Sequence, residues 1–424
     1  MKTVTKLIEQ VPIPRMVRVR QKFDRTCIPD DEIPAVIRRE MGKLAERIRP
    51  GMRIAITCGS RGIHCYRQMV RTIVDFVKEQ GAAPFLVAAM GSHGGATSEG
   101  QRQILADYGI TEENMGCPVM CDMDTVEIGK SIIRGQSVRI DKNAAEADGI
   151  LLLNRVKPHT SFRGRYESGL MKMMAIGLGK QHGASDIHGQ SPAIMHELVE
   201  EYGKTILNNC PVLGGIAVIE NAYDDTWSIT GLRAEEIITE EPKLRDASYG
   251  TIARLLFDRC DVLVVDKIGK NISGDGMDPN VTGRFCTQYA SGGIQAEKVV
   301  VLDLTDETHG NAQGVGLADV TTRRLYDKMK FEMTYPTGVT NTFLHLMKIP
   351  MVMDNDREAL QLALCCCPEA EDQAHKKLIR IPDTAHLEYL EISEGLLELA
   401  KQNPQLEVLS EPYELAFDRW GNLF

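Results

Sequence analysis

The sequence predicts an α/β protein built from two α/β domains. Short apolar runs of strand length alternate with amphipathic helical stretches over most of the 424 residues. Several runs are continuously apolar, as strands covered on both faces are. Hydrophobic residues make up 43% and charged residues 25%, the composition of an ordinary globular chain that can fill a large core.

The elements follow in order. Residues 52–58 read as a strand ending at Gly59. Residues 66–80 form a helix with Val70, Ile73, Val74 and Val77 on one face, closed by Gly81. A second strand covers 84–89, and Thr97 caps a helix that runs to Tyr108 and stops at Gly109. Residues 150–153 are a fully apolar strand. Ser191 and Pro192 open a helix over 193–207, and 215–219 return as a strand. A helix over 249–257 and a strand over 262–265 complete the first domain, 1–265. The second domain, 266–424, opens with a Gly- and Pro-rich loop over 271–284. It continues with a strand at 298–304, helical 318–329 and 340–346, a strand at 351–353 and a helix at 357–366. Segments 377–381 and 386–401 complete its core, and the mixed tail 402–424 is expected to pack back on the first domain.

Charge and composition exclude several functions. Forty-nine Lys and Arg against 59 Asp and Glu give a net charge of −10, opposite to that of a nucleic-acid binder. No apolar run approaches the roughly 20 residues of a membrane span, and the first 20 residues lack the apolar core of a signal peptide. The 11 cysteines are irregularly spaced, three of them adjacent at Cys365, Cys366 and Cys367, which suits reduced thiols in a cytoplasmic protein. Cys117 and Cys121 lack a second pair at zinc spacing, and His64 and Cys65 read as packing residues at a helix start.

Chemistry is expected in the loops after the strands. The first, Gly59-Ser60-Arg61-Gly62, allows close approach of a phosphate or carboxylate and offers Arg61 as a fork; a tight turn with a solvated arginine reads equally well. The second, Gly91-Ser92-His93-Gly94-Gly95, sets a histidine between glycines. The third, 154–188, is the densest. It holds His159, His182 and His188, the lysines Lys157, Lys172 and Lys180, and many glycines, with little helical or strand pattern.

Taken together, these loops resemble the nickel-dependent lactate racemase family. The resemblance rests on Gly91-Ser92-His93 before a helix, Pro158-His159 after a buried strand, Ser168-Gly169-Leu170-Met171-Lys172, and His188, 16 residues beyond Lys172. It implies two α/β domains with the active site in the cleft between them, and a nickel-pincer nucleotide as cofactor, made by dedicated biosynthetic enzymes. By motif, Lys172 would be the covalent tether through a thioamide and His188 the nickel ligand. His93 and His159 would be the acid/base pair, and Gly59, Ser60, Arg61, Ser168 and Gly169 would contact the cofactor. Arg61, Asn280 and Arg284 would bind the substrate, the last two replacing a Gln-x-x-Lys segment of the family. Met171 stands where the family has Arg, which with the altered cleft loop points to a 2-hydroxy acid other than lactate. His182 and Lys180 are alternative ligand and tether. The implied activity is racemisation or epimerisation of a 2-hydroxy acid, with no nucleic-acid or membrane partner and with an oligomer compatible. Two other readings use the same loops: a metal-dependent hydrolase or lyase built on His93, His159 and His188, or a non-catalytic nucleotide- or metal-binding module.

Overall fold

In the computed structural model, residues 2–368 and 375–424 are described. The chain divides into two compact units, one spanning Asp24–Ile252 and the other joining Met1–Phe23 to Ala253–Phe424. The α/β class is as the sequence predicts.

The unit Asp24–Ile252 is built on six strands in the order Val119–Met120, Ala83–Ala88, Arg53–Cys58, Gly149–Arg155, Val212–Glu220 and Thr226–Arg233. The first five run parallel and the last is antiparallel. Continuous apolar runs were needed because each central strand feeds two cores. Ile54, Ile56, Leu151 and Leu153 pack with Val70, Ile73, Val74 and Val77 of helix Tyr66–Glu79. Ala55, Ile150 and Leu152 face Leu198, Val199, Tyr202 and Ile206 of helix Met195–Asn209. Each buried Val, Leu or Ile among them contributes about 1.5–3 kcal/mol. The capping expectations hold: the Thr97 side chain accepts from Gly100 N, and that of Ser191 from Ala193 N.

The second unit carries an eight-stranded sheet in the order Met351–Met353, Val320–Thr322, Gln295–Leu304, Arg259–Ile268, Leu378–Ile381, Tyr389–Ser393, Met16–Gln21 and Leu406–Val408. Five strands are parallel and the remainder antiparallel. Among the described residues no helix is long and apolar enough to cross a membrane.

Several expectations need correction. A division at 265/266 would cut the strand Arg259–Ile268, which pairs on both sides within its own sheet; the chain divides after Ile252. The tail packs on the N-terminal segment of the chain, within the same unit. Leu406–Val408 pairs with Met16–Gln21, and Leu415, Phe417 and Leu423 pack on the core of the second unit. The helix expected at 249–257 is the end of a longer one, Ala234–Thr251, whose interior Pro242 and run of glutamates hide its period. Residues 318–329 split into the strand Val320–Thr322 and helix Arg323–Lys328, and the helix expected at 340–346 lies at Phe331–Asn341.

Candidate active site

The loops singled out above leave the carboxyl ends of three neighbouring parallel strands, Ala83–Ala88, Arg53–Cys58 and Gly149–Arg155, so the sheet brings them side by side. The first loop is clamped by two tyrosines. Gly59 N donates to the Tyr66 hydroxyl at 2.7 Å; the Tyr108 hydroxyl accepts from Gly62 N at 3.0 Å and donates to the Ser60 carbonyl at 3.1 Å. A Cβ at Gly59 would lie 3.3 Å from Met173 Cε, so the loop packs against the residue after Lys172. Arg61 is exposed on this loop.

Ser60 Oγ is hydrogen-bonded to His93 Nδ1, which joins the first loop to the second. His93 is exposed, and its loop is held from below. Gln101 Nε2 donates to the carbonyls of Gly91, at 2.9 Å, and His93, at 3.2 Å. Lys180, fully buried, reaches Gln101 Oε1 at 3.4 Å, the Ala88 carbonyl at 2.6 Å and Asp141 at 3.1 Å. Gly94 sits at φ +67°, where a Cβ would strike the Gly100 backbone at 2.5 Å.

The second half of the third stretch is helical. Leu170–Lys172 is helical, Met173–Leu178 widens into a π-helical turn, and Lys180–His188 continues as α-helix. π-turns of this kind recur at functional sites. Glycines make it possible, since a Cβ at Gly177 would meet the Ala89 carbonyl at 2.7 Å. The stretch places Lys172 Nζ 2.6 Å from His159 Nε2. His188 lies close enough to contribute to the His159 environment, and its Nδ1 is buried without a hydrogen-bond partner.

His159 is fixed on all sides. Its backbone N–H donates to Glu167 Oε2 at 2.7 Å, and its ring stacks on Phe162 with centroids 4.2 Å apart. Glu167 is itself buried among Tyr249, Arg163 and Arg245. Burial, then the neighbouring Lys172 and His188, hold His159 well below the usual histidine range, so the ring is neutral at pH 7. Burial and Lys172 bring His188 down to about 4.

Both ring nitrogens have a polar partner: Nδ1 accepts from the backbone N–H of Ser161 at 3.1 Å, and Nε2 faces Lys172 Nζ.

The segment ahead of Lys172 is anchored by a carboxyl group absent from the sequence reading. Glu241 accepts from the N–H groups of Met171, at 3.0 Å, and Leu170, and burial pushes it up to about 8. A Cβ at Gly169 would lie 2.3 Å from Glu241 Oε1, which explains a glycine there. Ser168 pairs through its backbone with Lys157. Nothing in the acid-rich run 235–241 distinguishes Glu241 from its surface neighbours in sequence.

The structure thus gathers Gly59, Ser60 and His93 in one cluster and His159, Lys172 and His188 in a second, with Met173 touching the first. Lys180 is bound to Asp141, and His182 is exposed and contacts Thr125 Oγ1 at 3.3 Å. Asn280 and Arg284 belong to the other unit and have local tasks there. Asn280 bonds Asp278 at 2.9 Å; Arg284 pairs with Asp319 at 2.8 Å and donates to the Glu297 carbonyl at 2.9 Å.

Residues 57–237, under half of the chain but including all these loops, match a family described as a domain of unknown function (DUF362). No curated protein matches the sequence. Several solved structures are similar, among them these two. One is lactate racemase apoprotein from Thermoanaerobacterium thermosaccharolyticum, at 13% identity and TM-score 0.50, over 87% of this chain and 98% of that one. The other is a protein from Thermotoga maritima, at 13% identity and TM-score 0.49, over 77% and 83%. At this identity the first likeness is one of fold: this chain has a lactate-racemase-like α/β architecture.

Proposed function

We propose that this chain is a racemase or epimerase of a 2-hydroxy acid, working with a nickel-pincer nucleotide attached through Lys172. The observation that carries the reading is the Lys172, His159 and His188 cluster: a primary amine in hydrogen-bond contact with a neutral imidazole, and a second imidazole with an unmatched buried nitrogen. These residues fit the group. A thioamide tether requires a primary amine, and Lys172 is one. Nickel accepts imidazole nitrogen, and His188 Nδ1 lacks any other partner.

When bound, the nucleotide supplies an acceptor and donor for the hydride at C2. The chain supplies the proton chemistry. His159, neutral at pH 7 and shielded by Phe162, takes the hydroxyl proton of one enantiomer. His93, oriented through Nδ1 by Ser60, serves the other hand. Arg61, beside Ser60, binds the substrate carboxylate. The partners on this reading are the 2-hydroxy acid and the enzymes that make the cofactor. The hydrolase alternative gains no support: His93, His159 and His188 do not converge as a ligand set among the described residues.

The test is protein made together with the cofactor-synthesising enzymes. Intact mass should show an adduct that Lys172→Arg abolishes while the fold is kept. Holo protein should then racemise one member of a panel of enantiopure 2-hydroxy acids. In single turnover, His93→Ala and His159→Ala should each convert only one hand, losing about 10²–10⁴-fold on the other. Parent rates of racemisation in both variants would remove the two histidines from the mechanism.

A further inference from the structure

A second group of chemically active side chains lies in the same unit, outside the site described above. His64 and Cys65 precede helix Tyr66–Glu79, and Asp30 comes from the segment ahead of helix Ile33–Gly42. His64 Nε2 lies 2.8 Å from Asp30 Oδ1. Ligand atoms of Asp30, His64 and Cys65 all fall within 4.8 Å of one another. The sequence alone suggests packing residues at this position; the structure instead leaves His64 and Cys65 half-buried, beside an exposed carboxylate.

The backbone is shaped to hold this arrangement. Cys65 adopts φ +53°, in the left-handed region that non-glycine residues seldom occupy. The N–H of His64 donates to Glu220 Oε1 at 2.7 Å, and Glu220 is buried and paired with Arg155. The two consecutive side chains are thereby turned toward Asp30.

A nucleophilic thiol does not explain the group. The Cys65 thiol donates to Asp30, and Asp30 also holds the imidazole nitrogen that would have to take the thiol proton. A cation would take the carboxylate and the imidazole as ligands and draw the proton from the thiol. Carboxylate oxygen, imidazole nitrogen and thiolate are the three ligand types of zinc-class ions. With metal–ligand bonds of about 2.0–2.3 Å, tetrahedral ligand atoms stand roughly 3–4 Å apart, which the observed grouping accommodates.

We propose that Asp30, His64 and Cys65 bind one zinc-class divalent cation, leaving a fourth position for water or an exogenous ligand. The Cys65 proton is released to solvent on binding. The proposal does not rest on the Lys172 chemistry.

The test uses the full chain, stripped with chelator and titrated with Co²⁺ alone. One equivalent should give a thiolate-to-cobalt charge-transfer band with the strong visible absorption of four-coordinate cobalt, and Zn²⁺ should displace it. Cys65→Ser should lose the charge-transfer band. Asp30→Asn, at a side chain 68% exposed and outside any core, should fold normally and bind Co²⁺ at least tenfold more weakly. The band should persist when the exposed thiols Cys27, Cys365 and Cys366 are all changed to Ser. Absence of the band in the parent, its survival in Cys65→Ser, its loss in the triple-Ser background, or parent affinity in Asp30→Asn would each overturn the assignment.

Discussion

Lys172 Nζ lies 2.6 Å from His159 Nε2, and burial above all holds the ring neutral. Nitrogen NMR of His159 should therefore report an uncharged imidazole at pH 7; a doubly protonated ring would remove it as a general base. Glu241 makes a second residue-scale prediction. Its carboxyl is raised to about 8 from an ordinary value near 4.5, so the folded state binds the proton more tightly than the unfolded chain. The stability this contributes is complete below the unfolded value and is lost as pH climbs toward about 8. Each tenfold gain in proton affinity is worth about 1.4 kcal/mol, so the loss amounts to a few kcal/mol. Glu241→Gln keeps the shape without the titration, so its denaturant-unfolding curve should flatten between pH 5 and 8 relative to the parent; parallel pH profiles would show that Glu241 is ionised throughout. His159 and Lys172 were singled out in the sequence because each stands in a short motif, Pro158-His159 after a buried strand and Ser168-Gly169-Leu170-Met171-Lys172. Glu241 was not, because what marks it is a contact with Leu170 and Met171 some 70 residues away.

At the scale of elements, the strands were the legible part, since burial on both faces leaves an unbroken apolar run. The helical stretch from Leu170 to His188 was not. Gly177, Gly179 and Gly183 look like loop residues, yet they sit where a Cβ would strike the Ala89 or Ala175 carbonyl. Tertiary closeness here outweighs intrinsic helix propensity. The same stretch is tied to its surroundings by the fully buried pair of Lys180 and Asp141, which links helix Lys180–His188 to the strand Ser137–Asp141 and, through Ala88, to the central sheet. Breaking such a pair from one side strands a charge. Lys180→Met should cost about 3–5 kcal/mol in denaturant unfolding, and adding Asp141→Asn should recover part of it. A double variant as unstable as the two single losses combined would show that the pair is not coupled. Because Lys180 also reaches Gln101, whose amide holds the Gly91 and His93 carbonyls, the same variants should disorder the His93 loop.

Across the whole molecule, the division into units follows pairing and not chain order. A boundary near 265 is what continuous βα rhythm suggests, because nothing local marks the strand Met16–Gln21 as belonging with residues beyond 253. Its partners, Tyr389–Ser393 and Leu406–Val408, lie more than 360 residues away, and that pairing has no local signature. The strand is interior to the eight-stranded sheet, and it supplies Val17 and Val19 to one core and Met16, with Ile8, to the other. Removing residues 2–22 should thus expose two strand edges and empty part of both cores of the second unit. The unit Asp24–Ile252 keeps its own two cores intact, since no residue of either comes from the deleted segment. Amide hydrogen exchange on the truncated chain should therefore show protection lost through Ala253–Phe424 and retained in the strands Arg53–Cys58 and Gly149–Arg155. Loss spread evenly over both units would mean that the two fold as one cooperative body, and full protection everywhere would mean that the N-terminal strand is dispensable to the sheet.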